Sequence, residues 1–474
     1  MSTPSPNELV TFNIPLTREE AEAIYAKGPE AVVFVLMALA ARVAEQSASP
    51  SSTTPSTPSG MVPVYQKPTV SKRPKSPGAK PGHPGASRKP PLKITHRKEH
   101  PPLKRCPHCG TALPAPTERR FRLIEEIPET HPEVSEHSIP RHWCPTCQKL
   151  VEPPVPDALP GATFGHRLVA LTAWLHYGLG TTLSQVLAVL RHAVHFTLTE
   201  GGLVDAWKRL AAILTPWYDE IARQVKAGGT LHADETGWRV AGRTVWLWCF
   251  TTPQATYYMI DRCRGSTALL KFFTEEFAGI LVTDFWAAYN IVVAAGRQAC
   301  LVHLFRELEK VDQKDPSADW AAFRKKLKRL LGDAIRLGAQ REETSAEAFA
   351  SRRARLDARR DELLAMPWTN ANAKRLVKRL RRYREALFTF LDHPGVPSDN
   401  NHAEREIRPA VIIRKNSLCN RSENGASVQA ILMSVYRTLK LRGLDPLETI
   451  VAALKDYVRT GSLPPLPGSN TSDG

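Results

Sequence analysis

Residues 230–261 read TLHADETGWRVAGRTVWLWCFTTPQATYYMID, and residues 279–290 read GILVTDFWAAYN. Leu231 to Asp234 is a short apolar run that reads as a first strand. Thr244 to Thr251 and Ala255 to Asp261 are rich in β-branched and aromatic residues. Only Thr252, Pro253 and Gln254 separate them, which is the pattern of a hairpin. Ser266 to Phe277 has a helical composition, Gly279 to Thr283 is a buried-type strand, and Gln298 to Val302 is a fifth strand. The order is strand, strand, strand, helix, strand, helix, strand. It predicts an α/β sheet of mixed direction over residues 230–302.

Downstream, residues 303–392 are Lys, Arg, Glu, Ala and Leu with few Gly or Pro, and RKKLKRLL and KRLVKRLRRYREALFTFL are strongly basic. They read as a helical insertion between the fifth strand and the last helix of the core. After a turn at Leu391 to Pro397, Ser398 or Asp399 caps the next helix. Pro409 is expected to end or kink that helix. Residues 398–461 form the C-terminal part of the core with its terminal helices, and 462–474 a disordered tail. Upstream, residues 163–225 are helical: Arg167 to Tyr177, Leu183 to His192, and a third helix near Leu203 to Leu214. Three such helices suit either a helix-turn-helix DNA reader or a brace for the sheet.

Ahead of them lie two C-x-x-C knuckles, Cys106–Cys109 and Cys144–Cys147. Four thiolates at this spacing suit a tetrahedral zinc ion, and a site closed by four sulfurs is structural rather than catalytic. The run RRFRLIEEIP at 119–128 is expected to form a strand between the knuckles, within a zinc-binding domain over 104–152. The remaining cysteines are scattered, so no secreted disulfide framework is present. Residues 48–103 are a disordered linker, Ser/Thr/Pro-rich at first and then densely basic, suited to neutralising phosphates. Residues 1–47 read as a helical segment with a capping box at Thr17 and Glu20, interrupted at Gly28 and Pro29. Its apolar band, Val32 to Val43, needs a partner surface, from this protein or from a second copy.

The 474 residues are enough for two or three domains, and a formal charge of +17 points to a polyanionic partner. The longest apolar run, Ala31 to Ala41, falls short of the roughly 20 residues that span a bilayer. With no secretory signal pattern at the start, the expectation is a cytoplasmic, DNA-associated protein without a membrane role.

Three acids stand out. Asp234 and Asp284 each follow an apolar strand, where an unpaired surface charge is out of place. Glu404 sits one turn into the helix that Asp399 starts, on a stripe with Asn400 and Arg408, while Glu406 points away. Burying carboxylates together is costly unless a cation lies between them, and magnesium or manganese takes such hard oxygen ligands. Glu235 is the rival of Asp234, because neighbours on a strand face opposite ways. Around these acids, Arg405, Arg408, Arg414 and Lys415 are candidate phosphate contacts, and His303 and Arg306 follow the fifth strand.

The motifs H-A-D-E-T-G-W, V-T-D-F-W-A-A-Y and S-D-N-N-H-A-E-R-E-I-R-P, followed by R-K-N-S, resemble those of transposases of the bacterial insertion sequence 66 family. The double C-x-x-C is similar to that family's zinc-binding domain, and G-A-K-P-G-H-P-G to its basic segment. The resemblance covers about residues 65 to 455. It implies a DDE transposase with a ribonuclease-H-like core, whose strand order the sequence also follows. Carried over by motif, Asp234, Asp284 and Glu404 are its catalytic, metal-binding acids. It further implies metal-dependent cleavage and strand transfer of double-stranded DNA, at element ends and target. Action as a homo-oligomer and small accessory proteins belong to the same implication. Two rival readings are a transposase-derived, zinc-containing DNA-binding protein that no longer cuts, and another nuclease on the same fold.

Overall fold

The computed structural model describes residues 18–26, 28–29, 32–33, 35–36, 91–417 and 419–468. It divides into two units between Lys67 and Pro68. In the first unit, helix α1 (Arg18–Ala26) carries an exposed Arg18–Glu22 pair, and Gly28 follows it with a left-handed φ of 99°. The expected cap at Thr17, the apolar band beyond residue 36, residues 48–90 of the linker and residues 469–474 of the tail lie outside the described residues.

In the second unit, residues 91–141 form no helix or strand beyond an isolated bridge between Arg105 and Ala112. Strands β1 (His142–Cys144) and β2 (Lys149–Val151) form a small antiparallel hairpin. The run at 119–128 is not the expected strand. Its β-prone side chains find no neighbouring edge to bond, and Phe121, Ile124 and Ile127 stay exposed.

Three helices follow. Helix α2 (His166–Ala173) continues as a π-helical turn to Gly178. Helix α3 (Leu183–Ala193) starts with a capping box between Thr182 and Gln185. Helix α4 (Glu200–Ala227) was expected to stop near Leu214, yet runs through Pro216 for 28 residues. Its stripe of Leu203, Trp207, Leu210, Leu214, Trp217, Ile221 and Val225 is buried along the whole length. Apolar burial on both sides of the proline offsets the one hydrogen bond it removes.

The sheet contains β3 (Thr230–Val240), β4 (Arg243–Thr252), β5 (Ala255–Asp261), β6 (Phe277–Thr283) and β7 (Ala294–Ala299), in the order β5-β4-β3-β6-β7. Neighbours β3, β4 and β5 are antiparallel, whereas β3, β6 and β7 run parallel. Ala241 and Gly242, at φ 49° and 76°, make the tight β3–β4 turn. Two strand expectations need correction. β3 has 11 residues rather than ending at Asp234, and the fifth strand ends at Ala299, so Leu301 and Val302 open a helix instead. Helix α5 (Ser266–Phe272) joins β5 to β6.

Helices α6 (Leu301–Asp312), α7 (Ala318–Ala339), α8 (Ala346–Ala365) and α9 (Ala371–Arg382) come next. The chain ends in α10 (Asn401–Ser417), α11 (Glu423–Leu441) and α12 (Pro446–Thr460). Pro409 sits inside α10 and does not end it; Ile407, Ala410 and Ile413 are buried on either side. Strand β6 has its alternating side chains in two cores. Leu281 joins the larger one, built from α2, α4, the sheet and α10 to α12. Ile280 and Val282 join the smaller one, built mainly from α6 to α9.

Candidate active site

The first acid is placed by a difference in strand length. β3 pairs with β6 only over Thr230–His232, the last pair being His232 with Val282, whereas its pairing with β4 continues to Val240. Asp234 is two residues past that last parallel pair, and Asp284 is two residues past Val282. The two acids therefore stand level where the parallel part of the sheet stops. Strand ends of this kind are where open α/β sheets bind ligands.

The third acid is brought in by stitches between chain segments. The Cys300 amide donates to the carbonyl of Thr283, the residue before Asp284 (2.8 Å). The Asn400 amide donates to Cys300 Sγ (3.2 Å), and its side-chain Nδ2 to the carbonyl of Ala233, the residue before Asp234 (2.8 Å). His232 Nδ1 lies 3.0 Å from Asn400 Oδ1. Glu404 follows one turn later, its amide bonded to the Asn400 carbonyl. Asn400 is fully committed and buried, so it is a positioning residue rather than the free amide that the helical stripe implied. The helix starts at Asn401, so Asp399 lies one residue ahead of the cap position and accepts from the Asn401 amide at 2.9 Å.

Their surroundings separate the five carboxylates. Burial, then the charges of Glu235, Asp284 and Glu404, push Asp234 well above the usual aspartate range. Burial also raises Asp284, with Arg264 and Arg379 opposing and Glu404 adding to the rise. Each accepts a backbone amide, Asp234 from Glu235 (2.9 Å) and Asp284 from Trp286 (2.8 Å). Neither has an ion-pair partner among the described residues. Glu235 is different. It is paired with Arg264 (2.9 Å) and accepts from the Tyr289 hydroxyl (2.6 Å), and Arg264 is itself clamped between the rings of Trp246 and Trp286. Its hydrogen bonds are spent on structure, which the sequence did not reveal. Glu404 is held by Arg306 through two bonds of 2.9 and 3.1 Å, with His303 Nε2 at 3.8 Å. Glu406 is buried against Arg437 (2.7 Å), away from the other acids.

This donor set fits a divalent cation. Hard carboxylate oxygens, mutually repelling and partly buried, gain most from a doubly charged ion. Of the basic candidates, Arg405, Arg408 and Lys415 are exposed on α10 and have no ion-pair partner among the described residues. Arg414 instead donates to the Gly237 carbonyl (2.6 Å) and Thr236 Oγ1 (2.8 Å), which ties α10 to β3.

The cysteine knuckles are each formed locally. The Cys147 amide points at Cys144 Sγ (3.4 Å), and Cys109 Sγ lies 3.3 Å from Thr111 Oγ1. Hydrogen bonds to Thr111 lower Cys109, and the Cys147 amide lowers Cys144, both toward the thiolate that binds metal. Among the described residues, no three of the four sulfurs gather within 4.8 Å. The soft donor set fits zinc, which would draw the two knuckles together.

A mixed α/β sheet with level acids on β3 and just past β6, preceded by paired cysteine knuckles, is compatible with the transposase class, to which the family comparison assigns the chain. More narrowly, the chain belongs to the IS66 family of transposases, whose family model matches residues 161–428. A second model, the zinc-finger binding domain of transposase IS66, matches residues 104–148. Among relatives, the uncharacterized protein y4qI of Sinorhizobium fredii is 29% identical over 61% of this chain and 58% of its own length. Two further uncharacterized proteins of that organism are similar. y4hP is 24% identical over 72% of this chain and 66% of its own length, and y4jD is 23% identical over 76% and 75%. The chain thus spans less than two thirds of y4qI and y4hP. No helix among the described residues is long and apolar enough to cross a membrane.

Proposed function

We propose that this protein binds the ends of a mobile DNA element, cuts one strand there, and joins the freed 3′-hydroxyl to target DNA. The carrying observation is the stitched arrangement of Asp234, Asp284 and Glu404, in which the two partly buried aspartates have no ion-pair partner among the described residues. The sheet order, with β3 antiparallel to β4 and parallel to β6 and with acids level on β3 and just past β6, supports a ribonuclease-H-like core formed by 230–302 and 398–461. Residues 303–392 are then its helical insertion and 104–152 its zinc domain.

Asp234, Asp284 and Glu404 would hold Mg2+ or Mn2+, which when bound supplies Lewis-acid stabilisation and a nucleophile at neutral pH. Cys106, Cys109, Cys144 and Cys147 would hold structural Zn2+. Asn400 fixes the distance between the helix acid and the strand acids. Arg306 neutralises Glu404 until a cation takes over that role. Arg405, Arg408 and Lys415 present positive charge to DNA phosphates along one helix face. Helix α4 buries its long stripe, which favours the brace over the DNA reader for 163–225. Homo-oligomeric action on DNA, small accessory proteins and a cytoplasmic setting complete the proposal.

The test is cleavage of DNA carrying the sequences that flank the gene, with Mg2+ or Mn2+. Wild type is expected to cut at the element ends, and Asp284→Asn to bind without cutting. Binding without cutting by wild type, with either metal and with neighbouring accessory proteins added, would mean a DNA-binding relic instead.

A further inference from the structure

A second group of metal-ligand side chains lies outside both the acids and the knuckles. Glu129 and His131 sit on the exposed segment between the knuckles, and His195 in the loop between α3 and α4. Glu129 Oε1 is 3.4 Å from His195 Nε2 and 3.6 Å from His131 Nε2. The two imidazoles stack, with centroids 4.9 Å apart and planes 22° from parallel. Among the described residues, this is the one group of three His, Cys, Asp or Glu whose ligand atoms all lie within 4.8 Å. His195 adopts a left-handed backbone, at φ 56°, that side-chain-bearing residues seldom take.

The spacing suits an exposed ion pair of protonated imidazoles with Glu129, and it also suits joint ligation of one metal ion. Ordinary N–H···O bonds measure about 2.7–3.2 Å, shorter than both separations. Two ligands of one zinc ion, each bonded at about 2.0–2.1 Å, stand about 3.3–3.4 Å apart on a tetrahedron. The observed separations match the second value more closely. Two imidazole nitrogens and one carboxylate oxygen are also a donor set that zinc and similar divalent transition ions accept.

We propose that Glu129, His131 and His195 form a separate divalent transition-metal site, for which Zn2+ is the probe. It would pin the segment after the first knuckle to the α3–α4 loop. That segment has no helix or strand of its own and exposes Phe121, Ile127 and Val134. A second, weaker tie, His137 to Asp157 at 3.8 Å, joins the same segment to the loop before α2. The inference is independent of the catalytic reading, because none of the three residues belongs to it.

The test compares bound zinc per chain in full-length wild type, His131→Ala and His195→Ala, equilibrated at a buffered zinc level. Each variant is expected to hold one equivalent fewer than wild type. Loading with Co2+ assigns the loss, since thiolate-to-cobalt absorption reports the cysteine knuckles and should be unchanged. His195→Cys, which retains a zinc ligand, should regain the equivalent. Equal zinc content in all proteins, or a loss that His195→Cys does not restore, would overturn the assignment.

Discussion

The knuckle region and the sheet region would each gain from a bound metal, in opposite ways. Around Cys106 to Cys147 the chain has two three-residue strands and almost no buried side chains. There it lacks the burial needed to offset chain entropy, so a metal would add order. Around Asp234 and Asp284 the chain is amply buried and stitched, and what it carries in excess is like charge. A metal there would relieve repulsion and add little order. The same kind of ligand would thus do folding work in one region and electrostatic work in the other.

The sharpest way to break this contrast is Asp234→Asn. Cleavage should fall by at least about a hundredfold, while the metal-free protein becomes more stable. The sign follows from linkage. Asp234 has a raised value in the folded state, so between the ordinary 3.8 and that raised value the folded chain binds more protons than the unfolded one. Wild-type stability should therefore fall as pH rises through that window. Thermal melts should show the fall flattened in the variant and countered by Mg2+ in wild type. An unchanged pH profile would count against the repulsion.

Asn400→Ala should come next. It leaves the Ala233 carbonyl and His232 without partners, at a cost of about 1–3 kcal/mol. It should also lower cleavage about tenfold, without weakening DNA binding, because Glu404 loses its anchor. Zinc chelation should then loosen the β1–β2 hairpin, seen as faster amide exchange. It should reduce DNA affinity about tenfold, yet leave the melting of the sheet region within about 1 kcal/mol. A shared collapse of both regions would erase the contrast. The smallest effects belong to Arg408→Ala and Lys415→Ala. Each should weaken DNA binding by about threefold and reduce the salt slope by about one.

Much of this architecture was legible in the residues. The hairpin signal at TPQ, the apolar run before Asp284 and the paired C-x-x-C motifs each depend on local chemistry, and local chemistry is what a sequence displays. The misreadings share a different cause. Asp234-Glu235-Thr236-Gly237 looks like a strand end because it is polar, but β3 continues there on the strength of its β4 partner. The third helix reads as far as Leu214, and Pro409 reads as an end or kink, but burial beyond them carries α4 and α10 onward. The run at 119–128 looks like a strand and lacks an edge to join. Asn400 reads as one of the amides offered on the Glu404 stripe, because no short-range signal tells that Ala233, 167 residues away, accepts its hydrogen bond.

Helix α10 is gripped near both of its ends. Asn400 joins its start to β3 at Ala233, and Arg414 joins its last turns to the same strand at Thr236 and Gly237. Just beyond, Asn420 bonds to Trp238 Nε1, the Arg239 carbonyl and the Ala241 amide. A beam supported at both ends does not swing. Glu404 and Asp234 therefore ride on one rigid frame, and the bond from the Cys300 amide to the Thr283 carbonyl ties Asp284 to the same frame.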